Sequence, residues 1–252
     1  MGGGNDGLVR LVRHDEGIAE LALRDTAGRN AFSEPFVHQL VAAAVEAEED
    51  PRTKVVVLTG LPDVFASGAP RELLVKLARG EFVPSDIVLS KTILDLPVPC
   101  IAAMEGHATG GGLALGLCAD LVLIARESRY GASFMNMGFT PGMGITRLLE
   151  HVLSRAVAHE LLYTGEFRRG SSFAGQSGFN YVLPRDQIRA KAFDLAARIA
   201  EKPRVALETL KRTLSLGRRQ AFEETRTIEA MMHEITFAQD EVRQRIEDEY
   251  VE

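Results

Sequence analysis

Two short alternating runs, Leu8 to Val12 and Ile18 to Leu23, bracket the polar stretch His14-Asp-Glu-Gly17 and predict a hairpin at a sheet edge. A polar turn over Asp25 to Asn30 follows. Ser33 is placed to cap a helix whose apolar positions Phe36, Leu40, Ala43, Ala44 and Val45 carry it to Asp50. Lys54 to Thr59, with a continuous apolar run from Val55 to Leu58, is then a strand buried on both faces. Strand, helix, buried strand predicts a right-handed crossover and a parallel sheet. Gly60 to Pro70 reads as a loop, Arg71 to Phe82 as a charged amphipathic stretch with a boundary at Gly80, and Ile87 to Leu94 as a helix. Pro99 to Met104 is a further apolar strand. Gly106 and the cluster Gly110, Gly111 and Gly112 turn it into an Ala/Leu-rich helix ending at Asp120, and Asp120 to Ala125 is the next strand. Ile145 to Ser154 and Ala156 to Thr164 read as helices, Gly165 to Ser177 as a loop and Tyr181 to Pro184 as a short extended piece. From Arg185 the pattern is nearly all helical, broken at Lys202-Pro203 and near Gly217, with a last helix from Ala221 to about Asp248. The pattern predicts an α/β fold with residues 1–184 as the core and 185–252 as a helical region of the same domain.

Composition narrows the classes. A chain of 252 residues, 46% hydrophobic, can bury one sizeable core. The formal net charge is -6, and Lys and Arg are mixed with acids throughout, which argues against a general nucleic-acid or anionic-membrane surface. No apolar run approaches the roughly 20 residues of a membrane helix. The N-terminal Met1-Gly-Gly-Gly-Asn-Asp6 reads as a frayed tail, since Asp6 stands where a myristoylation signal requires Ser or Thr. Cys100 and Cys118 both lie in apolar surroundings, so reduced thiols and a cytoplasmic location are expected.

The candidate chemistry begins at the glycine cluster. A glycine turn between strand and helix presents bare backbone N–H groups, and the first N–H groups of the helix carry its positive end. An oxygen gaining negative charge is stabilised by such donors. A tight packing turn makes the same demand on glycine, so the triplet alone leaves both readings open.

Phe65-Ala-Ser-Gly-Ala69, Gly106-His-Ala-Thr-Gly-Gly-Gly112, Ala119-Asp-Leu121 and Pro141-Gly-Met-Gly144 stand in this order across the chain. In these motifs the sequence resembles the crotonase, or enoyl-CoA hydratase/isomerase, superfamily over essentially its whole length. The resemblance implies a crotonase-like spiral of ββα turns, C-terminal helices that drive trimer formation, and a thioester site. By motif position the two backbone N–H groups of the implied oxyanion hole fall on Ala69 and Gly111. Family hydratases carry one glutamate two residues after the glycine triplet and another four residues before the glycine matched by Gly138. Here those positions are Ala114 and Phe134. Without carboxylates to position water and shuttle its proton, hydration is disfavoured.

Arg29-Asn-Ala-Phe-Ser-Glu34, Phe134-Met-Asn-Met-Gly-Phe-Thr-Pro-Gly-Met-Gly144 and Met232-His-Glu-Ile-Thr-Phe237 narrow the match. These stretches are similar to the decarboxylating second crotonase of polyketide β-branching cassettes. That resemblance implies decarboxylation of a 3-methylglutaconyl group on acyl carrier protein, giving a 3-methylcrotonyl-type thioester. It also implies a lysine after the first oxyanion motif to hold the carboxylate and a histidine on the C-terminal helix to deliver a proton. The matching residues are Lys76 and His233. Lys76 is slightly displaced from the subgroup's position, and Arg71 or Arg79 is the alternative cation. Phe134, Met135, Met137 and Ala114 are the implied pocket wall. No metal or other cofactor is expected, and His107 is expected to bond locally. A crotonase isomerase working through His233 remains the competing reading, and a non-catalytic RNA-binding member finds no lysine-rich helix to support it.

Overall fold

The computed structural model describes residues 7–81, 87–175 and 177–248. The opening hairpin forms where the alternation places it: β1 (Val9–Arg13) and β2 (Ile18–Leu23) pair antiparallel across a 3-10 turn, Asp15–Gly17. The helix α1 (Glu34–Glu49) starts where Ser33 accepts the Phe36 N–H, with proline in its first turn. Next comes β3 (Val55–Thr59), buried at every position and parallel to β2, the crossover that the apolar run predicts.

The chain then repeats a pattern of two strands followed by helix. After β4 (Val64–Ala66) come α2 (Arg71–Ala78) and α3 (Ile87–Leu94). After β5 (Cys100–Met104) and β6 (His107–Thr109) comes α4 (Gly111–Leu117). After β7 (Leu121–Ala125) and β8 (Arg129–Gly131) come α5 (Ile145–Leu148) and α6 (Arg155–Thr164). The remaining elements are β9 (Phe167–Arg169), β10 (Tyr181–Leu183), α7 (Arg185–Ala200), α8 (Arg204–Leu214), α9 (Leu216–Phe237) and α10 (Asp240–Asp248). Among the described residues the strands form a six-stranded sheet, β1-β2-β3-β5-β7-β10, and a four-stranded sheet, β4-β6-β8-β9. Each turn of chain gives one strand to each sheet, which is the ββα spiral.

The main core lies between the six-stranded sheet, α1, α3 and α4, and the second sheet. On the other face α7 lays Ile188, Ala192, Ala196 and Ala200 against β3, β5 and β7. The C-terminal helices are tied down by Asp120, between α4 and β7. Its carboxylate accepts the Cys100 N–H at 2.8 Å and pairs with Lys211 of α8 at 2.9 Å and with Arg218 of α9. The Ala119-Asp-Leu121 motif thus joins the spiral to the helices that follow it.

Several sequence boundaries are corrected. Gly60 to Pro70 holds β4, and Gly165 to Ser177 holds β9 and a 3-10 turn, Gly170–Phe173. The helix expected from Ile145 to Ser154 ends at Leu148 and continues as a 3-10 turn, Leu149–His151. The break near Gly217 falls at Ser215, and the last predicted helix divides before Asp240, whose carboxylate and that of Glu241 open the first turn of α10.

Candidate active site

The parallel strands β4 and β6 lie side by side and end in adjacent turns. Thr109 Oγ1 donates to the Ser67 carbonyl at 3.0 Å, and a Cβ added to Gly68 would stand 3.2 Å from the Gly111 nitrogen. The backbone around Ala69 and that of Gly111 are thereby held together by the second sheet. Gly110 sits between β6 and α4 at φ 49° and ψ -118°, a conformation that an L side chain resists, and its N–H donates to Gly131 of β8 at 2.9 Å. The turn is a junction of three strands, and its sharpness brings Gly111 beside the β4 turn.

An aromatic wall leads away from this junction. Phe134 follows β8 in a 3-10 turn, Ser133–Met137, and its ring edge would lie 3.8 Å from a Cβ at Gly110. Phe139 meets Phe134 edge-on at 6.1 Å between centroids and stacks on Phe237 of α9 at 4.6 Å. His233, one turn before Phe237 and 6% exposed, completes the wall, with its ring 5.4 Å from Phe237 and 6.2 Å from Phe139. Its Nε2 lies 2.8 Å from the Thr140 carbonyl oxygen. A carbonyl only accepts, so Nε2 carries the proton in this contact. The other nitrogen, Nδ1, makes no hydrogen bond among the described residues and is the one left to exchange a proton.

The sequence-predicted residues fall into two groups. Gly111 and the turn around Ala69 meet at the junction, and a relay of contacts runs from Gly110 through Phe134 and Phe139 to the His233 imidazole. The others make none of these ring contacts, although the Ala114 N–H donates to the Gly110 carbonyl at 3.1 Å. Ala114 is fully buried in α4 and belongs to the core. Met137 packs on the core, while Met135, 37% exposed, faces a hollow of about 420 Å³ shared with Val242 and Arg245 of α10. Lys76 is exposed on α2, whose buried side is Leu74 and Ala78, and its side chain makes no hydrogen bond or ion pair among the described residues. Arg71 and Arg79, the alternative cations, both reach Glu247 of α10, Arg71 through its backbone carbonyl and Arg79 through its carboxylate at 3.1 Å.

Other titratable groups have settings of their own. His107 Nδ1 accepts the Arg129 N–H at 2.8 Å, the local bond expected for it, and burial together with Arg185 and Arg129 lowers its pKa. Burial raises the Glu105 carboxyl against the pull of Arg189 and Arg185. Glu150 is half-buried and pairs with His159 at 2.7 Å and Arg147 at 3.2 Å. The sequence reading also missed part of the wall. It gave no role to Phe139 or Phe237, the ring neighbours of His233, while Met231 and Ile235 point outward. The signal for this was present, since residues 225, 229, 233 and 237 recur at helical spacing on the buried side of α9.

The spiral, the paired turns and the match of the family profile for enoyl-CoA hydratase/isomerase to residues 13–252 place this chain in the enoyl-CoA hydratase/isomerase family. Within that family it is similar to the bacillaene synthase decarboxylase PksI of Bacillus subtilis, with 38% identity over 96% of this chain and 98% of the relative. Its fold superposes on the ECH2 decarboxylase domain of CurF from Lyngbya majuscula with a TM-score of 0.92 and 38% identity, covering 97% of this chain and 100% of that one. A second solved structure, of a dehydratase/decarboxylase enzyme couple involved in polyketide beta-branching, gives a TM-score of 0.93 at 38% identity, over 98% of this chain and 100% of the other. Methylmalonyl CoA decarboxylase, at 18% identity and a TM-score of 0.81, shares the fold.

Proposed function

We propose that this protein decarboxylates a 3-methylglutaconyl group held as a thioester on acyl carrier protein, giving a 3-methylcrotonyl-type thioester in polyketide β-branching. The observation that carries the reading is the wall. Where family hydratases hold glutamates, this chain has Ala114 and Phe134, and the titratable side chain on the wall is His233. The similarity to decarboxylases over nearly the whole chain supports it.

The bond between the terminal carboxylate carbon and its neighbour breaks, carbon dioxide leaves, and the electron pair enters the conjugated system as a dienolate. Its charge reaches the thioester oxygen, where the backbone N–H groups of Ala69 and Gly111 are the proposed donors; each such donor is worth roughly 100- to 1000-fold in rate. Protonated His233 then returns a proton to carbon from Nδ1, since Nε2 is held by the Thr140 carbonyl. Lys76 is the proposed cation for the substrate carboxylate. It is favoured over Arg71 and Arg79 because those two are engaged with Glu247 and it is not. An apolar wall of Phe134 and Phe139 leaves a carboxylate poorly solvated and favours its loss as neutral carbon dioxide.

The same reading includes a homotrimer formed through α8 and α9, a cytoplasmic location, and residues 1–184 and 185–252 as one domain. Exposed Ile228, Met231 and Ile235 on α9 support the first. Cys100 and Cys118, buried free thiols pushed up to about 12 by desolvation, suit the second. Among the described residues no helix is long and apolar enough to cross a membrane. The packing of α7 on β3, β5 and β7 supports the third.

Mass spectrometry of 3-methylglutaconyl carrier protein tests the reaction. The wild-type protein is expected to remove one carbon dioxide mass, and His233→Ala and Lys76→Ala to lose that activity. An active Lys76→Ala shifts the cation role to Arg71 or Arg79. An unchanged mass with wild type overturns the decarboxylase reading, and a double-bond shift at constant mass makes the protein an isomerase.

A further inference from the structure

The segment from Phe139 to Thr146 is laced to one side of α9 at both of its ends. At the first end the Thr140 carbonyl accepts from His233 Nε2, and the Thr140 N–H and hydroxyl each lie 3.4 Å from Thr236 Oγ1. At the second end stands Glu229, one turn before His233 and only 3% exposed. One oxygen of its carboxylate accepts the Gly144 N–H at 2.6 Å; the other accepts the Thr146 N–H at 3.2 Å and the Thr146 hydroxyl at 2.6 Å. Thr225, a further turn back, lies 3.1 Å from the same hydroxyl.

Between these ends lies Met143, a non-glycine residue at φ 62°, followed by Gly144 at φ 80°. Such a backbone persists when its surroundings over-determine it. Here the Met143 carbonyl accepts from Ser90 Oγ at 2.9 Å, the Ile145 N–H donates to the Gly142 carbonyl at 3.3 Å, and the N–H groups on either side of it, those of Gly144 and Thr146, go to Glu229. The turn also abuts the oxyanion junction, because the Met143 sulfur would stand 2.8 Å from a Cβ placed on Gly111. The Glu229 carboxylate is the buried charge that holds a strained turn against one proposed oxyanion donor. The same segment carries the carbonyl that fixes the His233 tautomer.

We infer that Glu229 is a positioning residue of the active site, which, by binding the Gly144 and Thr146 N–H groups, sets Met143 against Gly111 and the Thr140 carbonyl against His233. The inference rests on the decarboxylase reading for its rate effect but not for its effect on the imidazole. Gln at this position keeps a single carbonyl acceptor and sets an N–H against the N–H of Gly144 or Thr146, so one anchor is lost at nearly constant volume. Asp is one methylene too short to span both.

The test compares wild type, Glu229→Gln and Glu229→Asp by kcat and KM for carbon dioxide release, with thermal melts as a check on folding. In folded Glu229→Gln, kcat is expected to fall by about tenfold or more with KM changed less than about threefold, because the loss concerns the reacting centre rather than substrate binding. The imidazole proton spectrum, with the His233 signal assigned by its absence in His233→Gln, supplies the second readout. Wild type is expected to show a protected Nε2 proton and Glu229→Gln to lose that protection. If Glu229→Gln does not fold, Thr146→Val, which removes only the hydroxyl anchor, is expected to lower kcat in the same direction by about two- to fivefold. A folded Glu229→Gln with wild-type kcat and a protected Nε2 proton overturns the inference. A wild-type protein that releases no carbon dioxide overturns the decarboxylase reading instead, and the imidazole spectrum then decides the role of Glu229.

Discussion

Gly112 shows how tightly the proposed oxyanion junction is built. A Cβ there would fall 2.0 Å from the Ala66 carbonyl oxygen and 2.6 Å from its carbon, a backbone that is itself paired in β4 and has no room to yield. Gly112→Ala is therefore expected to cost about 1–3 kcal/mol or more in urea melts, the range for forcing extra atoms into a packed interior. Gly217→Ala, where the same Cβ meets only His151 at 4.0 Å within α9, is expected to be neutral or to gain up to about 1 kcal/mol from helix propensity. Equal effects at the two sites would mean that the β4 to α4 contact is not tight. Activity should fall further than stability in Gly112→Ala, since moving α4 from β4 parts Gly111 from the turn around Ala69. At this scale the glycine triplet and His233 were legible, the first from the turn it forces and the second from its motif. Glu229 and Phe139 were not, because the Glu229 bonds span 83 to 85 residues and Phe139 stacks on Phe237, far along the chain in α9.

The strand β2 carries a buried acid where an apolar residue is expected, and its setting makes a pH prediction. Burial would raise the Glu20 carboxyl, but hydrogen bonds from Thr59 and His14 and the charge of Arg189 outweigh that and hold it below its ordinary 4.5. Thr59 Oγ1 lies at 2.8 Å, His14 Nε2 at 2.9 Å and Arg189 at 2.8 Å. A carboxyl depressed in the folded state binds its proton less readily there than when unfolded, so stability rises with pH across the gap. Its contribution is complete above 4.5 and is lost as pH falls through the lower folded value. Glu20→Gln is thus expected to be less stable than wild type near neutrality, with the difference closing as pH drops below about 4.5 in denaturant melts. A difference that stays constant with pH would leave packing, not charge, as the role of Glu20. The six-stranded sheet containing β2 was readable almost element by element, because β2, β3, β5 and β7 are five or six residues long and periodic or fully apolar. The second sheet was not readable from the pattern. Its strands have three residues each and stand among glycines and prolines, so alternation has no length in which to show. The proposed site lies at the ends of β4 and β6, which is why the family resemblance located it and periodicity did not.

For the whole molecule, α9 has two opposed sides. One carries Thr225, Glu229, His233 and Phe237 into the site and core, while the other shows Ile228, Met231 and Ile235, 57%, 58% and 65% exposed. Leu210 and Leu214 of α8 are exposed as well. A stripe of large apolar side chains at helical spacing in water is the mark of a face that another chain covers. If copies of this chain cover it in the proposed trimer, each α9 is clamped between its own site and a neighbour, and assembly steadies His233 and Glu229 without touching them. Met231→Glu and Ile235→Glu together place like charges one turn apart in that contact while leaving every site residue unchanged, and burying unpaired charge is costly enough to separate the subunits. Light scattering after gel filtration is expected to show a trimer for wild type and a smaller species for the double variant. The dissociated species should retain its far-ultraviolet helix signal yet show lower kcat, since α9 loses its outer support and the Thr140 and Gly144 anchors loosen with it. A monomeric wild type would refute the trimer, and a dissociated variant with full kcat would show that assembly and the His233 side of α9 are uncoupled.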